Sequence, residues 1–325
     1  MRAIQVQKYG GPEVLEVTDL PIPKPKENEI LIKIKASAVT AASTAMRTGK
    51  PYFGRLFLGL NKPKISTPGT DLAGIVVEIG HQVSKFKVGD AVIAETGINC
   101  GAYAEYICLS EDELIVAQPI NMSPEEATGM IDGACTALAF FTDQVKIQKG
   151  QKVLINGASG SIGTAAVQLA KQFGAEVTGV CSTKNIELVK SLGADFVIDY
   201  TKQDFTTLEK NYDVIFDTVG KLSFPKSKRA ISPNGVFLTP VLSLSVLGQM
   251  LFSSLFGNKK LKFAATGIRE LDLRMRDLKI IKEMAEAGTL KTILDRTYRL
   301  EQIQEAQVYV EKGHKVGNVV ILMEA

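Results

Sequence analysis

A glycine-rich turn between a predicted strand and a predicted helix is the feature that most constrains the fold. The apolar run Val153–Ile155 precedes the turn GASGSIG at 157–163, and the helix-forming segment 164–170 follows it directly. In this order of elements, three glycines permit a tight turn, a close approach of backbone N–H groups to a pyrophosphate, and close packing of helix on strand. The helix N-terminus adds unpaired N–H groups and a partial positive charge. The sequence therefore predicts a dinucleotide-phosphate site, with a plain glycine turn of another α/β protein as the alternative. The predicted contacts are Gly157, Ser159, Gly160, Ser161, Ile162 and Gly163.

Strands and helices alternate after this turn. Short β-rich runs at 176–180, 196–200 and 213–217 are separated by helical stretches, and the run at 213–217 is apolar enough for a strand buried on both faces. A helix is expected to begin near Lys184, capped by Ser182 or Thr183. Repeated βα units with short turns predict an α/β protein with a doubly wound parallel sheet.

The first 125 residues follow a different pattern. Short alternating segments such as 30–35 and 74–79 are punctuated by Pro and Gly, which predicts a mostly-β domain with its own core. From about residue 266 the chain holds an amphipathic helix at 278–287 and a final apolar strand at 318–322. A final strand needs a partner, so we expect it to join one of the two sheets. A length of 325 residues allows two domains.

The composition excludes several classes of protein. With 45% hydrophobic and 22% charged residues the chain is typical of a globular protein. A net charge of +3, without a dense Lys/Arg cluster interleaved with aromatics, argues against nucleic acid as a partner. The first residues lack the apolar run of a signal peptide, and the four cysteines show no CxxC spacing. We therefore expect a cytoplasmic protein with reduced thiols.

The segment 236–256 is apolar over almost the roughly 20 residues that a membrane helix needs. Pro240, Gly248, Gln249 and several serines interrupt it, so a strand at 235–239 followed by an apolar loop or helix is the favoured interpretation. No spanning segment is expected. Peripheral membrane contact, a lid over a substrate site and simple core packing remain open for the remainder.

Several motifs in series carry a family resemblance. They are Tyr9–Leu15 (YGGPEVL), Pro68–Gly74 (PGTDLAG), Val88–Val92 (VGDAV), Gly101–Tyr106 (GAYAEY), Thr136–Ala139 (TALA) and Leu192–Asp195 (LGAD). In this order, over nearly the whole chain, the sequence resembles the medium-chain dehydrogenase/reductase superfamily and its zinc-independent quinone oxidoreductase group. The resemblance implies a GroES-like mostly-β domain formed by 1–125 and 266–325, with a Rossmann NADP-binding domain at 126–265 inserted. It also implies a homodimer, formed through edge strands near 236–266.

The residues do not favour a metal ion. Zinc-dependent relatives place a Cys in the segment aligned with Val39–Ser43 and a His-Glu pair where this chain has Thr70 and Asp71. The chain has only two histidines, His81 and His314. A three-ligand catalytic zinc site is not expected from this inventory.

The end of the second predicted strand of the nucleotide domain favours NADPH over NADH. A site for NAD normally holds the ribose with an Asp or Glu about 20 residues beyond the glycines. Here the segment 181–185 has no acid, whereas Ser182 and Lys184 offer a hydroxyl and an ammonium to a 2′-phosphate. The resemblance places Tyr200 near the adenine or the 2′-phosphate.

Further predicted contacts lie near the nicotinamide end of the cofactor. Because ligands bind at the carboxyl ends of parallel strands, Asp217, Val219 and Thr239 are expected beside the ribose and nicotinamide. Asp217 could equally cap the following helix. By resemblance Thr136 lies near the nicotinamide, and Asn318 completes the predicted set.

Hydride transfer without a metal needs only the cofactor and an acceptor in contact. The expected catalytic residues are Thr40, by its position in the family motif, and Tyr52, for which packing in a loop is the competing interpretation. Several relatives have a tyrosine where this chain has Ala45, so no dedicated proton donor is expected there. The apolar residues Phe53, Phe57, Leu58 and Leu60, with 241–256, would frame a hydrophobic acceptor site.

The sequence thus predicts an NADPH-dependent, metal-free oxidoreductase that transfers hydride to a small hydrophobic quinone or α,β-unsaturated carbonyl. A metal-free alcohol or ketone dehydrogenase is the alternative within the same class. A non-catalytic NADPH-binding protein, crystallin-like or peripheral to a membrane, is the alternative from a different class, because a fold does not fix a function.

Overall fold

The computed structural model describes residues 1–50, 52–207 and 211–323. The chain forms two compact units. Residues 1–132 together with 267–325 make the first unit, and residues 133–266 make the second.

The elements follow one another in chain order. The strands are β1 (Arg2–Gln5), β2 (Glu16–Asp19), β3 (Glu29–Ala38), β4 (Asp71–Ile79), β5 (Ala91–Glu95), β6 (Tyr106–Ser110), β7 (Ile115–Ala117), β8 (Lys152–Asn156), β9 (Glu176–Cys181), β10 (Phe196–Asp199), β11 (Tyr212–Asp217), β12 (Ile231–Thr239), β13 (Lys260–Phe263), β14 (Leu294–Arg299) and β15 (Asn318–Leu322). The α-helices are α1 (Ala41–Thr48), α2 (Arg55–Leu58), α3 (Pro124–Gly129), α4 (Ile131–Ala139), α5 (Ser161–Gln172), α6 (Ile186–Ser191), α7 (Phe224–Ser227), α8 (Leu244–Phe256), α9 (Leu271–Glu286) and α10 (Ile303–Glu311).

The first unit is built on a mostly antiparallel sheet. Its strands run in the order β14-β15-β3-β4-β5-β7, with β6 paired to β3. Along β3 the side chains of Ile30, Ile32 and Ile34 are fully buried, as the two-residue period of a strand requires for one face on a core. The last strand, β15, pairs antiparallel with β3 and parallel with β14. The expectation that the final strand joins one of the sheets is confirmed.

The second unit is a six-stranded parallel sheet in the order β10-β9-β8-β11-β12-β13. The chain winds outward from β8 to β10 on one side and from β11 to β13 on the other. The central strand β8 buries Val153, Leu154 and Ile155 completely, as expected for a strand covered on both faces. This is the predicted doubly wound arrangement. It places the carboxyl ends of β8 and β11 at the point where the winding direction changes, the usual ligand site of such sheets.

Some predicted boundaries shift in the structure. The segment after β9 opens with a 3₁₀ turn, Thr183–Asn185, and α6 begins only at Ile186. The helix expected at 278–287 is the longer α9. The apolar segment divides into the end of β12 and the 13-residue helix α8. Among the described residues, none of the helices has both the length and the apolar character to span a bilayer.

Candidate functional site

The glycine turn joins β8 to α5, and its geometry demands glycine at two positions. Gly157 has φ +76°, and a Cβ there would lie 2.8 Å from Thr218 Oγ1 and overlap Val219. A Cβ at Gly163 would overlap the carbonyl oxygen of Gly157. By contrast, the nearest atom to a Cβ at Gly160 would be 3.4 Å away. The turn is therefore least crowded at Gly160, the glycine that was predicted to face a pyrophosphate, where a Cβ would only contact the carbonyl oxygen of Gly157.

The first turn of α5 presents backbone N–H groups beside this space. Gly160 is the N-cap of the helix and contributes no side chain to cap it. The helical hydrogen bonds begin with Thr164 N, which donates to Gly160 O at 2.9 Å, so the N–H groups of Ile162 and Gly163 precede them. A helix N-terminus of this kind attracts an anion through its N–H groups and its dipole. These residues fit a pyrophosphate.

Asn185 connects the turn to the end of β9, which the sequence reasoning missed. Its buried side-chain amide donates to Ser159 Oγ at 2.9 Å and to Ser182 Oγ at 3.4 Å. Lys184 lies next to it with an exposed side chain, and Tyr200 N donates to Cys181 O at 3.1 Å. The structure thus brings Ser159, Ser182, Lys184 and Tyr200 to one edge of the sheet.

A carboxylate also lies at this edge. Asp199 pairs in register with Cys181 and accepts hydrogen bonds from the hydroxyls of Thr183 at 2.5 Å and Thr201 at 2.7 Å. These hydroxyls lower the pKa of Asp199, with Thr183 as the larger cause, so the group is an anion at neutral pH. The local segment 181–185 has no acid, but the parallel register of the next strand supplies one. That register was the signal that could have revealed it.

The residues expected near the nicotinamide differ in how many hydrogen bonds they make within the protein. The buried carboxylate of Asp217 accepts from Asn156 Nδ2 at 2.8 Å, Leu222 N at 2.8 Å and Val219 N at 3.2 Å. It therefore organises the turn after β11. Thr239, at the end of β12, accepts from Val241 N, and Thr136 Oγ1 lies 3.0 Å from Thr266 Oγ1.

The remaining predicted residues belong to the first unit. Asn318 is buried at the start of β15, where its side chain donates to Ile293 O. Thr40 is the N-cap of α1, and its Oγ1 accepts from Ser43 N at 3.2 Å. Tyr52 is 66% exposed, with the Arg55 guanidinium 4.9 Å from its ring centre. In the structure Thr40 thus caps a helix and Tyr52 lies on the surface.

Behind Thr40 lies a buried polar network. Ser43 Oγ donates to Thr40 O at 2.8 Å and accepts from Tyr103 OH at 3.0 Å and Gln307 Nε2 at 3.2 Å. Burial raises the pKa of Tyr103, so its phenol stays protonated. The network fixes the start of α1 against α10.

The first unit also encloses an apolar cavity of about 290 Å³. Its lining comes from segments that are distant in the sequence: Val6, Met46, Arg47, Leu58, Pro63, Lys64, Ile65, Pro68, Ile98, Asn99 and Cys100. Of the apolar loop residues named from the sequence, Leu58 lines the cavity and Leu60 is exposed. The side chains of Phe53 and Phe57 lie outside the described part.

Two side chains give the cavity its chemistry. Cys100 Sγ lies 3.2 Å from Met46 Sδ, and burial raises the pKa of the Cys100 thiol to about 11. Arg47 is 1% exposed; its guanidinium donates to Gly10 O and pairs with Glu311. Its Nε has no hydrogen-bond partner among the described residues. Because the Arg47 charge is paired with Glu311 and most of the lining is apolar, the cavity suits an apolar molecule.

Comparisons with known proteins agree with this architecture. Residues 26–119 match the family model of the alcohol dehydrogenase GroES-like domain, and residues 192–321 match that of the zinc-binding dehydrogenases. A chloroplastic quinone-oxidoreductase of Triphysaria versicolor is 33% identical over 99% of this chain and 98% of its own length. The chloroplastic NADPH-dependent alkenal/one oxidoreductase of Arabidopsis thaliana is 30% identical over 99% of this chain and 79% of its own length. The structure of a quinone oxidoreductase from Coxiella burnetii superimposes with a TM-score of 0.87 at 26% identity, covering 100% and 99% of the two chains.

The residues present do not fit the zinc ion that one family description names. Within the described ranges, no group of three or more His, Cys, Asp or Glu side chains could hold a metal ion. Thr70 and Asp71 occupy the positions of the expected His-Glu pair, and Asp71 Oδ2 is buried without a described partner. Burial, followed by the nearby carboxylates of Asp132 and Glu95, raises the pKa of Asp71 well above its ordinary range. A buried carboxyl that stays neutral is a poor ligand for a cation.

The GroES-like match, the parallel sheet and the relatives that align over the whole chain leave one assignment. The chain belongs to the medium-chain dehydrogenase/reductase superfamily, in its quinone oxidoreductase-like group.

Proposed function

We propose that this protein is an NADPH-dependent reductase that transfers hydride to a quinone or an α,β-unsaturated carbonyl without a metal ion. The observation that carries the proposal is the edge of the parallel sheet, where Asn185 connects the glycine turn to Ser182. Phosphate-binding N–H groups and 2′-phosphate-binding groups would then act in one site.

The proposed roles follow from the positions of the residues. The N–H groups of Ile162 and Gly163 would bind the pyrophosphate, and Ser182 and Lys184 the 2′-phosphate. Reduced nicotinamide supplies the hydride when it is bound. The carboxylate of Asp199 would repel a 2′-phosphate nearby, but it already accepts hydrogen bonds from the Thr183 and Thr201 hydroxyls. The choice of NADPH over NADH therefore rests on Lys184 outweighing Asp199.

The cavity of the first unit supports an apolar, electrophilic acceptor. Its lining is mostly aliphatic, and it excludes water from the part of the acceptor that it holds. Quinones and enones react readily with thiolates, whereas a thiol with a pKa of about 11 stays protonated at neutral pH. Cys100 can therefore line the cavity without being alkylated. Tyr52 is exposed and does not line the cavity, so water is the proposed source of the proton that follows the hydride.

The test measures the oxidation of NADPH by its absorbance. The acceptors are a quinone, an enone and a simple ketone, each with and without a chelator. Turnover with the first two acceptors, unchanged by the chelator, is the expected result. Turnover with the ketone alone would favour an alcohol or ketone dehydrogenase. Tight binding of NADPH without turnover on any acceptor would favour a non-catalytic nucleotide-binding protein.

A further inference from the structure

Helix α8 has apolar side chains on both its buried and its exposed sides. Val246 and Met250 pack against the core of the second unit, and Ser253 is buried beside β13. The opposite side exposes large apolar side chains, each with between 43% and 77% of its surface accessible: Leu244, Leu247, Leu251, Phe252, Leu255 and Phe256. A surface helix normally turns polar residues to water, so this helix lacks a partner for one face.

The exposed side chains form a continuous strip. Leu244, Leu247, Leu251 and Leu255 are spaced by three or four residues, which places them on one face of a helix. The rings of Phe252 and Phe256 lie in the adjacent row, with centroids 5.5 Å apart. The strip extends over the length of the helix, about 20 Å.

The chain around this strip is positively charged. Between residues 218 and 266 there are seven basic residues and no Asp or Glu: Lys221, Lys226, Lys228, Arg229, Lys259, Lys260 and Lys262. Lys260 Nζ donates to Ser253 O and Ser254 O in the last turn of α8, and Lys259 Nζ donates to Lys228 O. The ammonium groups of Lys259 and Lys260 are therefore held near the C-terminal end of the strip.

Charge decides which partner suits this surface. The family resemblance implies a second copy near 236–266, but that copy would bring its own Lys259 and Lys260 to the strip, and neither lysine would meet an acid from segment 218–266. An anionic lipid surface satisfies both features, because apolar side chains enter the boundary between headgroups and acyl chains while lysines meet the headgroups. With 13 residues α8 is too short to cross a bilayer but long enough to lie in its surface.

We propose that α8 is a membrane-docking helix that lies in the surface of an anionic bilayer, with its exposed leucine and phenylalanine side chains inserted and the surrounding lysines on the headgroups. This surface is independent of the nucleotide site and of the oxidoreductase activity proposed above. It predicts a protein that binds vesicles of anionic lipid and does so less tightly as salt screens the lysines.

The absence of tryptophan from the sequence provides a clean probe. Phe252→Trp places the only tryptophan of the chain on the strip, and Ile120→Trp places it on an exposed site of the other unit as a control. With vesicles of phosphatidylcholine and phosphatidylserine, the emission of the Phe252→Trp variant should shift to the blue, and that of the control should not. An unshifted spectrum from Trp at position 252 would overturn the proposal.

Sedimentation with the same vesicles measures the contribution of each feature. Leu251→Gln combined with Phe256→Gln should weaken binding by at least about tenfold, and Lys228→Gln combined with Lys259→Gln should abolish the preference for phosphatidylserine. Ile120→Gln is the matched control and should bind like the unmodified protein. Thermal unfolding without lipid verifies that each variant folds. A blue shift that grows with protein concentration in the absence of lipid, with a doubled mass by light scattering, would assign the strip to a second copy and overturn the proposal.

Discussion

The proposed nucleotide site of the second unit is made largely of backbone, whereas the cavity of the first unit is made of side chains. In the turn, Gly157 and Gly163 act because they lack a side chain, and the helix start offers N–H groups. In the cavity, Met46, Leu58 and Cys100 act through their shape and through the state of a thiol. A backbone site is fixed by a short local pattern, but a side-chain site is assembled from segments far apart in the chain.

Two buried aspartates repeat this difference on a smaller scale. Asp217, beside the glycine turn, accepts three hydrogen bonds, two of them from backbone N–H groups. Asp71, in the first unit, keeps one carboxyl oxygen without a described partner, and its pKa is raised by burial. The carboxylate near the nucleotide site organises a turn, and the carboxyl in the other unit is tolerated by staying neutral.

The backbone character of the nucleotide site is tested most severely by Gly163→Ala. The added Cβ would overlap the carbonyl oxygen of Gly157, which cannot move without displacing the turn. We expect a loss of about 3 kcal/mol in the free energy of unfolding and a rise of at least about 100-fold in the Kd for NADPH, equal to roughly 2.8 kcal/mol. Calorimetry and fluorescence titration measure these. Gly248→Ala on α8, where nothing lies within 4 Å, is the matched control and should leave both unchanged or slightly improved.

The pair of aspartates gives the next largest effect. Asp217→Asn removes an acceptor from N–H donors and should cost about 2–3 kcal/mol, whereas Asp71→Asn should stay within about 1 kcal/mol near neutral pH because the native carboxyl is already uncharged. Chemical denaturation measures both. An equal loss in the two variants would remove the distinction between them.

The raised pKa of Asp71 also fixes the sign of a pH dependence. Above the ordinary pKa of the unfolded carboxyl and up to the raised folded value, the folded state binds more protons than the unfolded state. The free energy of unfolding therefore falls as pH rises through this window. Asp71→Asn should flatten that slope, and the same slope in both proteins would contradict the assignment.

Lys184→Ala tests the side-chain contribution to the proposed nucleotide site. Loss of a charge-assisted contact with the 2′-phosphate should weaken NADPH by about tenfold, with NADH unaffected because it lacks that phosphate. Lys190→Ala, an exposed lysine on α6 that pairs with Glu187, is the matched control. If titrations show that the affinities for NADPH and NADH fall equally, Lys184 does not recognise the 2′-phosphate specifically.

The smallest expected effect concerns the cavity. Leu58→Trp reduces the volume available to the acceptor and should raise the KM for a bulky quinone by about fivefold, while the Kd for NADPH stays the same. Leu56→Trp lies on the same short helix but is 67% exposed and does not line the cavity. Steady-state kinetics with the two variants separate a filled pocket from a disturbed helix.

The features with the largest expected effects are also the ones that the sequence predicted best. The strand–turn–helix around Gly157 and Gly163 and the doubly wound sheet follow from local periodicity, and the structure confirms the fold. Asp217 accepts hydrogen bonds from Asn156, which lies on another strand, and from Leu222. Sequence alone could not show these contacts, so it left open whether Asp217 contacts the cofactor or caps a helix. The cavity brings together residues between Val6 and Cys100 that are far apart in the sequence, which no local pattern encodes. The roles of Thr40 and Tyr52 in catalysis stay predictions.

The amide of Asn185 has a consequence for attempts to change the selectivity of the proposed nucleotide site. Its two hydrogen bonds tie Ser159, in the turn, to Ser182, at the end of the neighbouring strand. A redesign that replaces Ser182 with an acid to favour NADH would replace one of these acceptors and put a new charge beside Asn185. Substitutions meant to alter selectivity at the 2′-phosphate will thus also disturb the glycine turn that is proposed to bind the pyrophosphate, unless position 185 is redesigned together with them.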